Sequence, residues 1–325
     1  MKIAIDAMGG DYAPEEIIKG VVLASDQKDF EIIVLGKESE IKNELNKYDF
    51  RKNSISIIDC KETIDAGELP LNAVKTKKDS TILVGMKLIK DKKVDAFISA
   101  GNSGAMMAAA LLQLGCISKL RRPAIATVLP SLKGKVVILD VGANVDCKPE
   151  HLLQFANIGT KYAKYILKNN NPNVGLLNIG EEENKGNKFS QNAYKILKGS
   201  NINFHGNVEG KDVFKGKVDV VVCDGFTGNV LIKLSEGLAK MLFKEINDKI
   251  VDKLPKNMEM NKFRKSFMDI VKSTDYTEIG GLPLLGIDGL CFVCHGRSKA
   301  KTIKNAIFNA VNFVHSDILN HLKEN

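Results

Sequence analysis

The sequence predicts an α/β protein with a mostly parallel sheet and helices on both faces. Short runs rich in Val, Ile and Leu alternate with longer amphipathic segments along all 325 residues, as in strand–helix–strand units. Several apolar runs are uninterrupted, which is typical of strands buried on both faces. Since no repeat or linker interrupts this pattern, we expect one α/β domain spanning 1–325, with a projecting helical hairpin inserted at about 240–273.

The individual elements follow from apolar periodicity and from the residues that start and stop helices. The predicted strands are 2–6, 31–36, 54–59, 94–98, 123–129, 135–141, 174–179, 203–205, 218–223 and 290–294. The predicted helices are 15–25, 38–47, 81–90, 105–114, 149–167, 190–197, 230–254, 260–271 and 298–322. The stretch 61–79 lacks a steady period, and we expect an excursion over the sheet edge and over the site. We interpret 280–283 as a turn.

The segment Val94–Gly104 combines a short strand with a Gly/Ser loop, and an Ala-rich helix follows. We call Ser99–Gly104 the anchor loop. The first N–H groups of a helix have no partner inside it, so they and the helix dipole favour an anion. We therefore predict that the anchor loop binds an anion such as phosphate through Ser99, Gly101, Asn102, Ser103 and Gly104. The alternative is an N-capped helix that follows a strand and binds no ligand.

Asp, Asn and Gly also follow four other predicted strands. Ligands of open α/β sheets bind outside the carboxyl ends of the strands, so we expect all five loops to meet at one edge. One such loop is explained as a turn, but five together indicate a functional site. The residues predicted to shape this site are Asp6, Gly9, Gly10, Asp11, Asp140, Gly142, Asp224, Gly225 and Gly228.

Several common chemistries lack their sequence signatures. No glycines stand two residues apart, so the G-x-G-x-x-G dinucleotide loop is absent. The Walker A, H-E-x-x-H and G-x-S-x-G patterns are absent as well. The five histidines show no ligand spacing. We therefore expect no metal and no cofactor.

The six cysteines lie mostly in apolar runs, which indicates reduced core residues of a cytosolic protein. Cys223 is either a nucleophile or a buried strand residue, and the β-branched run before it favours burial. Cys291 and Cys294 have C-x-x-C spacing, but one pair supplies at most half of a structural zinc site. A strand is therefore favoured there over metal or redox use.

The net charge of +8 suggests an acidic partner: phosphate, an acidic protein or an anionic membrane surface. Because lysines are spread along the chain, a generally Lys-rich proteome is a competing explanation. Aromatic residues make up only 6% of the chain and Trp is absent. The chain therefore has few side chains on which the bases of a nucleic acid could stack. The chain begins with a strand pattern, so we expect no signal peptide. Without an apolar run of about 18 residues, we expect no membrane-spanning helix.

Seven short motifs occur in order from one end of the chain to the other. They are Ile5–Asp11, Ser99–Ala105, Leu139–Asn144, Leu177–Glu181 with Lys185–Gly186, Gly206–Gly210, Cys223–Asn229 and Ile287–Gly296. Together they resemble the bacterial phosphate acyltransferases of phospholipid synthesis. Arg297 departs from the resemblance, since a small residue is expected there.

The resemblance implies reversible transfer of a fatty acyl group from acyl carrier protein to inorganic phosphate, giving acyl phosphate. It also implies a homodimer and a fold related to phosphotransacetylases and isopropylmalate dehydrogenases. It further implies a cytoplasmic enzyme at the inner face of the membrane that feeds a membrane glycerol-3-phosphate acyltransferase. Two alternatives remain: an NAD-dependent dehydrogenase on the related fold, and a non-catalytic module that recruits acyl carrier protein to the membrane.

The residues fit acyl transfer, because phosphate is itself the nucleophile and the protein has to position it and stabilise an oxyanion. Neutral donors suit that work, so we predict catalytic roles for Asn144 and Asn229. His295 would protonate the departing thiolate or orient the phosphate. Carboxylates aimed at phosphate would repel it, so the aspartates are expected to hold loops and basic groups in place.

Two surfaces are predicted to meet partners. Arg121 and Arg122 are candidate contacts for acyl carrier protein, which is acidic in related systems; a solvated pair is the alternative. The stretch 240–272 holds nine Lys or Arg and five Asp or Glu, so half of the net charge lies there. An apolar stripe on its second helix is predicted to rest on the membrane; packing in a dimer or in the core is the alternative. The stripe consists of Met260, Phe263, Phe267 and Ile270, continued by Val271.

Overall fold

The computed structural model describes residues 1–26, 29–51, 54–118, 120–253, 255, 258–274 and 280–324. These residues form eleven strands in one sheet. The strands are β1 (Lys2–Asp6), β2 (Glu31–Gly36), β3 (Ile55–Asp59), β4 (Ala96–Ser99), β5 (Ala124–Ser131), β6 (Gly134–Leu139), β7 (Val174–Leu177), β8 (Phe204–Val208), β9 (Val220–Val222), β10 (Leu282–Leu285) and β11 (Cys291–Val293).

Twelve α-helices alternate with these strands in the described part of the chain. They are α1 (Glu15–Ser25), α2 (Glu38–Leu45), α3 (Pro70–Thr76), α4 (Thr81–Lys90), α5 (Ser103–Gln113), α6 (Pro149–Tyr165), α7 (Lys188–Lys198), α8 (Gly210–Lys215), α9 (Gly225–Lys249), α10 (Met258–Thr274), α11 (Ala300–His315) and α12 (Ile318–Lys323). A 3₁₀ turn, Val251–Lys253, follows α9.

The sheet is covered on both faces, as predicted. Along β1, Ile3 and Ile5 join the core cluster that includes α1 and α11, whereas Ala4 points to the cluster that includes α4 and α5. This alternation is the period of two that places successive strand residues on opposite faces. Helix α1 packs closely on α11 because Gly20 leaves room for Ile303.

The sheet contains two parallel blocks that run in opposite directions. Its order is β3-β2-β1-β4-β11-β10-β5-β6-β9-β7-β8. The first five strands are parallel to one another, and so are the last four. The three pairings from β11 through β10 and β5 to β6 are all antiparallel. An odd number of reversals makes β6 run opposite to β4.

This reversal corrects the expectation that all five polar strand ends meet at one edge. The loops after β1, β4 and β11 lie at one edge of the sheet, and the loops after β6 and β9 lie at the opposite edge. We call them the first centre (6–11, 99–104 and 295–299) and the second centre (140–144 and 223–229). The interpretation of 280–283 as a turn is wrong in part, because β10 begins at Leu282 and makes two of the three antiparallel pairings.

Other differences are local, and one of them is that the closing helix predicted at 298–322 is divided into α11 and α12. The stretch 61–79 contains α3, which Pro70 begins, and α8 was not predicted. Helix α9 begins at Gly225 rather than at 230, because Asp224 caps it by accepting a hydrogen bond from the Thr227 N–H. Pro255 lies between α9 and α10, as the predicted hairpin requires.

Candidate functional site: two polar centres at opposite sheet edges

At the first centre, one buried carboxylate joins two loops. The Ser99 hydroxyl donates to Asp6 Oδ2 at 2.7 Å, and the Met8 N–H donates to Asp6 Oδ1 at 3.0 Å. The two loops touch at Gly9, where an added Cβ would lie 2.6 Å from the Gly101 nitrogen. Burial raises the pKa of the Asp6 carboxyl, although these hydrogen bonds act in the opposite direction.

The loop after β11 is tied to the same centre. The Asp11 N–H donates to the Gly296 carbonyl at 2.7 Å, and Gly10 packs on the same carbonyl. His295 is exposed, and its Nδ1 accepts the Arg297 N–H at 3.1 Å. In the neutral ring the proton is therefore on Nε2. The Arg297 guanidinium lies 4.0 Å from the Asp11 carboxylate.

Two predicted phosphate donors are already engaged within the protein. The Asn102 side chain accepts the Ala105 N–H at 2.9 Å and caps α5. Its Nδ2 donates to the carbonyls of Asp65, Ala66 and Glu68. Ser99 is fully buried and bonded to Asp6. The expectation that Ser99 and Asn102 offer free donors is therefore wrong, because both side chains hold the loops together.

The same contacts place the stretch 61–79 over the anchor loop, as expected. Pro70 packs on Gly104, where an added Cβ would lie 2.6 Å from its Cγ. Gly101 and Gly104 remain partly exposed and Ser103 is exposed. Ser103 and Gly104 are the first residues of α5, so their N–H groups have no acceptor within the helix. These two residues are what the anchor loop can offer to an anion.

Ser298 is a polar residue of the first centre that the sequence did not single out. Its N–H donates to the His295 carbonyl at 2.9 Å. Its hydroxyl is buried and has no hydrogen-bond partner among the described residues. Buried polar groups are normally paired, so such a hydroxyl calls for an explanation such as a ligand. The signal in the sequence was a serine between the His295 loop and the closing helix.

At the second centre, the buried carboxylate of Asp140 organises its own loop. It accepts hydrogen bonds from the backbone N–H groups of Ile125, Gly142, Ala143 and Asn144 at 2.6 to 3.2 Å. The Asn144 amide donates to Asp140 Oδ2 at 2.9 Å and to the Pro123 carbonyl at 2.7 Å. Burial raises the pKa of the Asp140 carboxyl.

The Asn144 amide therefore has both hydrogens committed to the protein, and the expectation of a free donor there is wrong. Asn229 differs, since its half-buried amide makes no hydrogen bond with any described residue; a Cβ added at Gly142 would lie 3.8 Å from its Oδ1. Gly225 and Gly228 let α9 approach the Asp140 loop, with an added Cβ at Gly228 only 1.9 Å from the Asp140 carbonyl oxygen. Asp224 lies beside them as the cap of α9.

Arg121 and Arg122 are exposed and lie at the second edge of the sheet, away from the anchor loop. They precede β5, whose first residues pair with the ends of β6 and β10. Their positive charge affects the neighbouring His151. Burial, followed by the charge of Arg122, lowers the pKa of its imidazole.

The cysteines behave as core residues. Burial raises the pKa of the Cys223 thiol well above its usual range and that of Cys291 and Cys294 to about 12. A thiol of such pKa is a poor nucleophile at neutral pH. No group of three His, Cys, Asp or Glu side chains with metal-binding geometry occurs within the described ranges.

The predicted hairpin is present, but its apolar stripe is divided. Phe267 is buried and packs edge-to-face on Phe243 of α9, with ring centroids 6.1 Å apart. Its assignment to a membrane face is therefore wrong. Phe263 and Ile270 are exposed, and Met260 is half-buried. No helix among the described residues is long and apolar enough to cross a membrane.

Comparison with known proteins decides the family. A family model described as "Fatty acid synthesis protein" matches residues 1–321. The phosphate acyltransferase of Dictyoglomus turgidum is 50% identical over 309 residues, covering 94% of this chain and 92% of that protein. The phosphate acyltransferase of Alkaliphilus oremlandii is 45% identical over 324 residues, covering 100% and 97%. This chain belongs to the phosphate acyltransferase family.

The chain is thus an acyltransferase of lipid biosynthesis, and the resemblance carried by its seven motifs is confirmed. Solved structures extend the comparison to the fold. A phosphotransacetylase from Streptococcus pyogenes has a TM-score of 0.65 at 16% identity, with 97% of this chain and 94% of that chain covered. A 4-hydroxythreonine-4-phosphate dehydrogenase from Klebsiella pneumoniae has a TM-score of 0.56 at 14% identity, covering 96% and 98%. The α/β fold is therefore shared with both classes of enzyme.

Proposed function

We propose that this phosphate acyltransferase transfers a fatty acyl group reversibly from acyl carrier protein to inorganic phosphate. A phosphate oxygen attacks the thioester carbonyl carbon, the carbon–sulfur bond breaks, and the products are acyl phosphate and a free thiol. The observation that carries this proposal is the exposed start of α5 at the first centre, to which the exposed residues His295 and Arg297 also belong. It joins unpaired N–H groups with a cationic side chain, as an anion site requires.

In this proposal phosphate binds at the first centre. The Ser103 and Gly104 N–H groups and the Ser103 hydroxyl hold its oxygens, and Arg297 neutralises part of its charge. The His295 Nε2–H orients the phosphate or gives its proton to the departing thiolate. Ser99, Asn102 and the site-shaping aspartates act indirectly, by fixing the loops. Cys223 is no rival nucleophile, since its thiol is buried and its pKa raised.

The acyl donor approaches from the second edge. Arg121 and Arg122 are exposed there and would contact the acidic carrier protein, and Asn229 is an available amide donor at the second centre. A long, flexible substrate can be held at one edge by its remote parts while its thioester meets phosphate at the other. Remote binding of this kind can supply positioning for the reaction. Asn144 keeps a role in shaping this edge.

We also propose that 1–325 is a single domain with the hairpin at 240–273 as an insertion, and that it forms a homodimer. Helix α9 exposes an apolar row that extends from Val230 to Leu242, which is unusual for a surface that meets only water. The row therefore supports a dimer interface. Light scattering of Leu234→Glu/Leu238→Glu and of wild type tests this, and the variant should be monomeric. A variant that stays dimeric would exclude this surface.

The exposed part of the hairpin is proposed to meet the membrane from the cytoplasmic side, where acyl phosphate passes to a membrane glycerol-3-phosphate acyltransferase. Phe263 and Ile270 would enter the interface, and basic residues around them would favour anionic lipid. In liposome flotation, Phe263→Glu/Ile270→Glu should lose binding. Unchanged flotation of a folded, active double variant would show that the hairpin is not the anchor.

The decisive experiment for the reaction is incubation with acyl-acyl carrier protein, with and without phosphate. We expect free thiol and acyl phosphate to appear in equal amounts, only with phosphate, and equally with a chelator present. Thiol release without phosphate would contradict the proposal. Activity that needs nicotinamide would favour the dehydrogenase alternative instead.

A further inference from the structure

The second edge contains a cavity that the predicted site does not use. It has a volume of about 350 Å³ and lies between the ends of β7 and β9, against α6 and the start of α7. Leu152, Leu176 and Phe189 form its apolar walls. It also borders the second centre, because Cys223, Asp224 and Thr227 belong to its lining.

Most of the polar side chains at the cavity are hydrogen-bonded within the protein. Asn178 donates to the Lys185 carbonyl and accepts the Ile179 N–H. The side-chain oxygen of Asn187 accepts the Ser190 N–H, and the Thr227 hydroxyl donates to Asp224. The cavity therefore offers a ligand mainly shape and apolar surface. Such a lining selects a hydrocarbon rather than a sugar, nucleotide or phosphate.

Two exposed apolar side chains extend the cavity wall outward. Ile179, which is part of the lining, is 81% exposed, and Phe226, between two lining residues, is 62% exposed. Large apolar side chains this exposed beside an apolar cavity indicate a ligand surface. A chain that fills the cavity can continue over them.

We propose that this cavity binds the hydrocarbon chain of the acyl donor and sets the preference for chain length. The proposal rests on the proposed function, because it assigns one end of that reaction's substrate. Burying each further methylene favours the bound state by about fourfold, until the chain exceeds the space. The size of the cavity, rather than any polar contact, then decides which chains react best.

Two substitutions change the cavity in opposite directions. Leu177→Phe narrows it and Phe189→Ala enlarges it. For each variant, kcat/KM is measured with long-chain and medium-chain acyl-acyl carrier proteins at saturating phosphate. We expect the long-to-medium ratio to fall about tenfold or more in Leu177→Phe, since two excluded methylenes account for such a change. In Phe189→Ala the ratio should rise.

Leu132→Phe and Phe214→Ala are matched controls, because both positions are exposed and lie outside the cavity lining. They should leave the ratio at the wild-type value. Binding of a fluorescent long-chain polyene fatty acid is measured in parallel and should weaken in Leu177→Phe alone. An unchanged ratio in both cavity variants, with unchanged probe binding, would overturn the proposal. Failure of the proposed function is distinct, since wild type would then produce no acyl phosphate with any donor.

Discussion

Asp6 and Asp140 both end a strand and both hold a loop, but they do so with different donors. Asp6 binds a neighbouring strand through Ser99, so it joins two loops of the first centre. Asp140 binds four backbone N–H groups and the amide of Asn144, and all of these donors except the Ile125 N–H belong to the loop that follows it. The first centre is left with an exposed helix start and exposed His295, whereas the second is closed around its carboxylate.

Similar loop motifs therefore need not have similar roles. A loop whose N–H groups are all hydrogen-bonded within the protein can position neighbouring residues but cannot bind an anion. By this criterion the first centre suits phosphate, and the second centre suits the support of a neighbouring cavity and donor surface. Variants at corresponding positions of the two centres test this distinction.

The largest effect is expected from Asp140→Ala. Removing the carboxylate leaves the buried Asn144 N–H and three partly buried N–H donors without a partner, each costing up to about 1–3 kcal/mol. We expect the free energy of unfolding to fall by about 4 kcal/mol or more, and by less in Asp6→Ala. Urea denaturation measures both. Asp146→Ala, exposed and close to the same loop, should change stability by no more than about 0.5 kcal/mol; equal losses in Asp140→Ala and Asp6→Ala would contradict the distinction.

Gly228→Ala should rank next. Its Cβ would lie 1.9 Å from the Asp140 carbonyl oxygen. The clash could be relieved only by moving the backbone of α9 or of the Asp140 loop. We expect destabilisation of about 3 kcal/mol, the upper end for overpacking. Gly237→Ala is the matched control in the same helix: no described residue lies within 4 Å of an added Cβ, and a gain of up to about 1 kcal/mol in stability is expected. Similar thermal unfolding of the two variants would show that α9 does not pack on the Asp140 loop as described.

Ser298→Ala separates a binding role from a structural one. If the hydroxyl donates to bound phosphate, its loss should raise the phosphate KM roughly tenfold or more, because a hydrogen bond to a charged group contributes about 1.5–3 kcal/mol. The fold should not weaken, since the hydroxyl has no partner to lose among the described residues. Steady-state kinetics and thermal unfolding check both statements. A stable variant with wild-type phosphate KM would remove Ser298 from the site.

The smallest effect concerns pH. Burial raises the pKa of Asp6 above its usual value of 3.8, so ionisation is harder in the folded state than in the unfolded state. Its contribution to stability is therefore greatest below pH 3.8 and is lost as pH rises through the raised pKa. Relative to Asp6→Asn, wild type should lose stability across that pH range. The loss should be about 1.4 kcal/mol for every tenfold difference between the acid dissociation constants of Asp6 in the folded and unfolded states. A stability difference that does not change with pH, measured by urea titration, would contradict this.

The elements with strong local signals could be predicted from the sequence. The Val94–Gly104 strand and loop and the Pro149 helix start are examples, because composition and capping act over a few residues. The direction of the second parallel block could not be predicted. It depends on β10, four residues that follow Gly280–Gly281 and contain Pro283 and therefore look like a turn, and on pairings between distant parts of the chain.

The candidate site divides in the same way. The polar loops were visible as motifs, but whether their donors are free depends on long-range packing. In the sequence, the amides of Asn102 and Asn144 look free to bind a ligand. In the folded structure, Asn102 donates to a carbonyl of the stretch 61–79 and Asn144 donates to the Pro123 carbonyl. Ser298 carries no motif of its own, so only its burial without a partner marks it. Sequence patterns locate polar loops, whereas the folded structure shows which of their groups remain unpaired.

In our proposal, phosphate binds at the first centre and the acyl donor binds at the second edge. The most direct test compares two double variants, His295→Ala/Arg297→Ala and Arg121→Ala/Arg122→Ala, by the KM values for phosphate and for acyl-acyl carrier protein. The first should raise the phosphate KM about tenfold or more and leave the donor KM nearly unchanged. The second should raise only the donor KM, more strongly at low salt. If both variants raise the same KM, the two edges do not divide the substrates and this assignment is wrong.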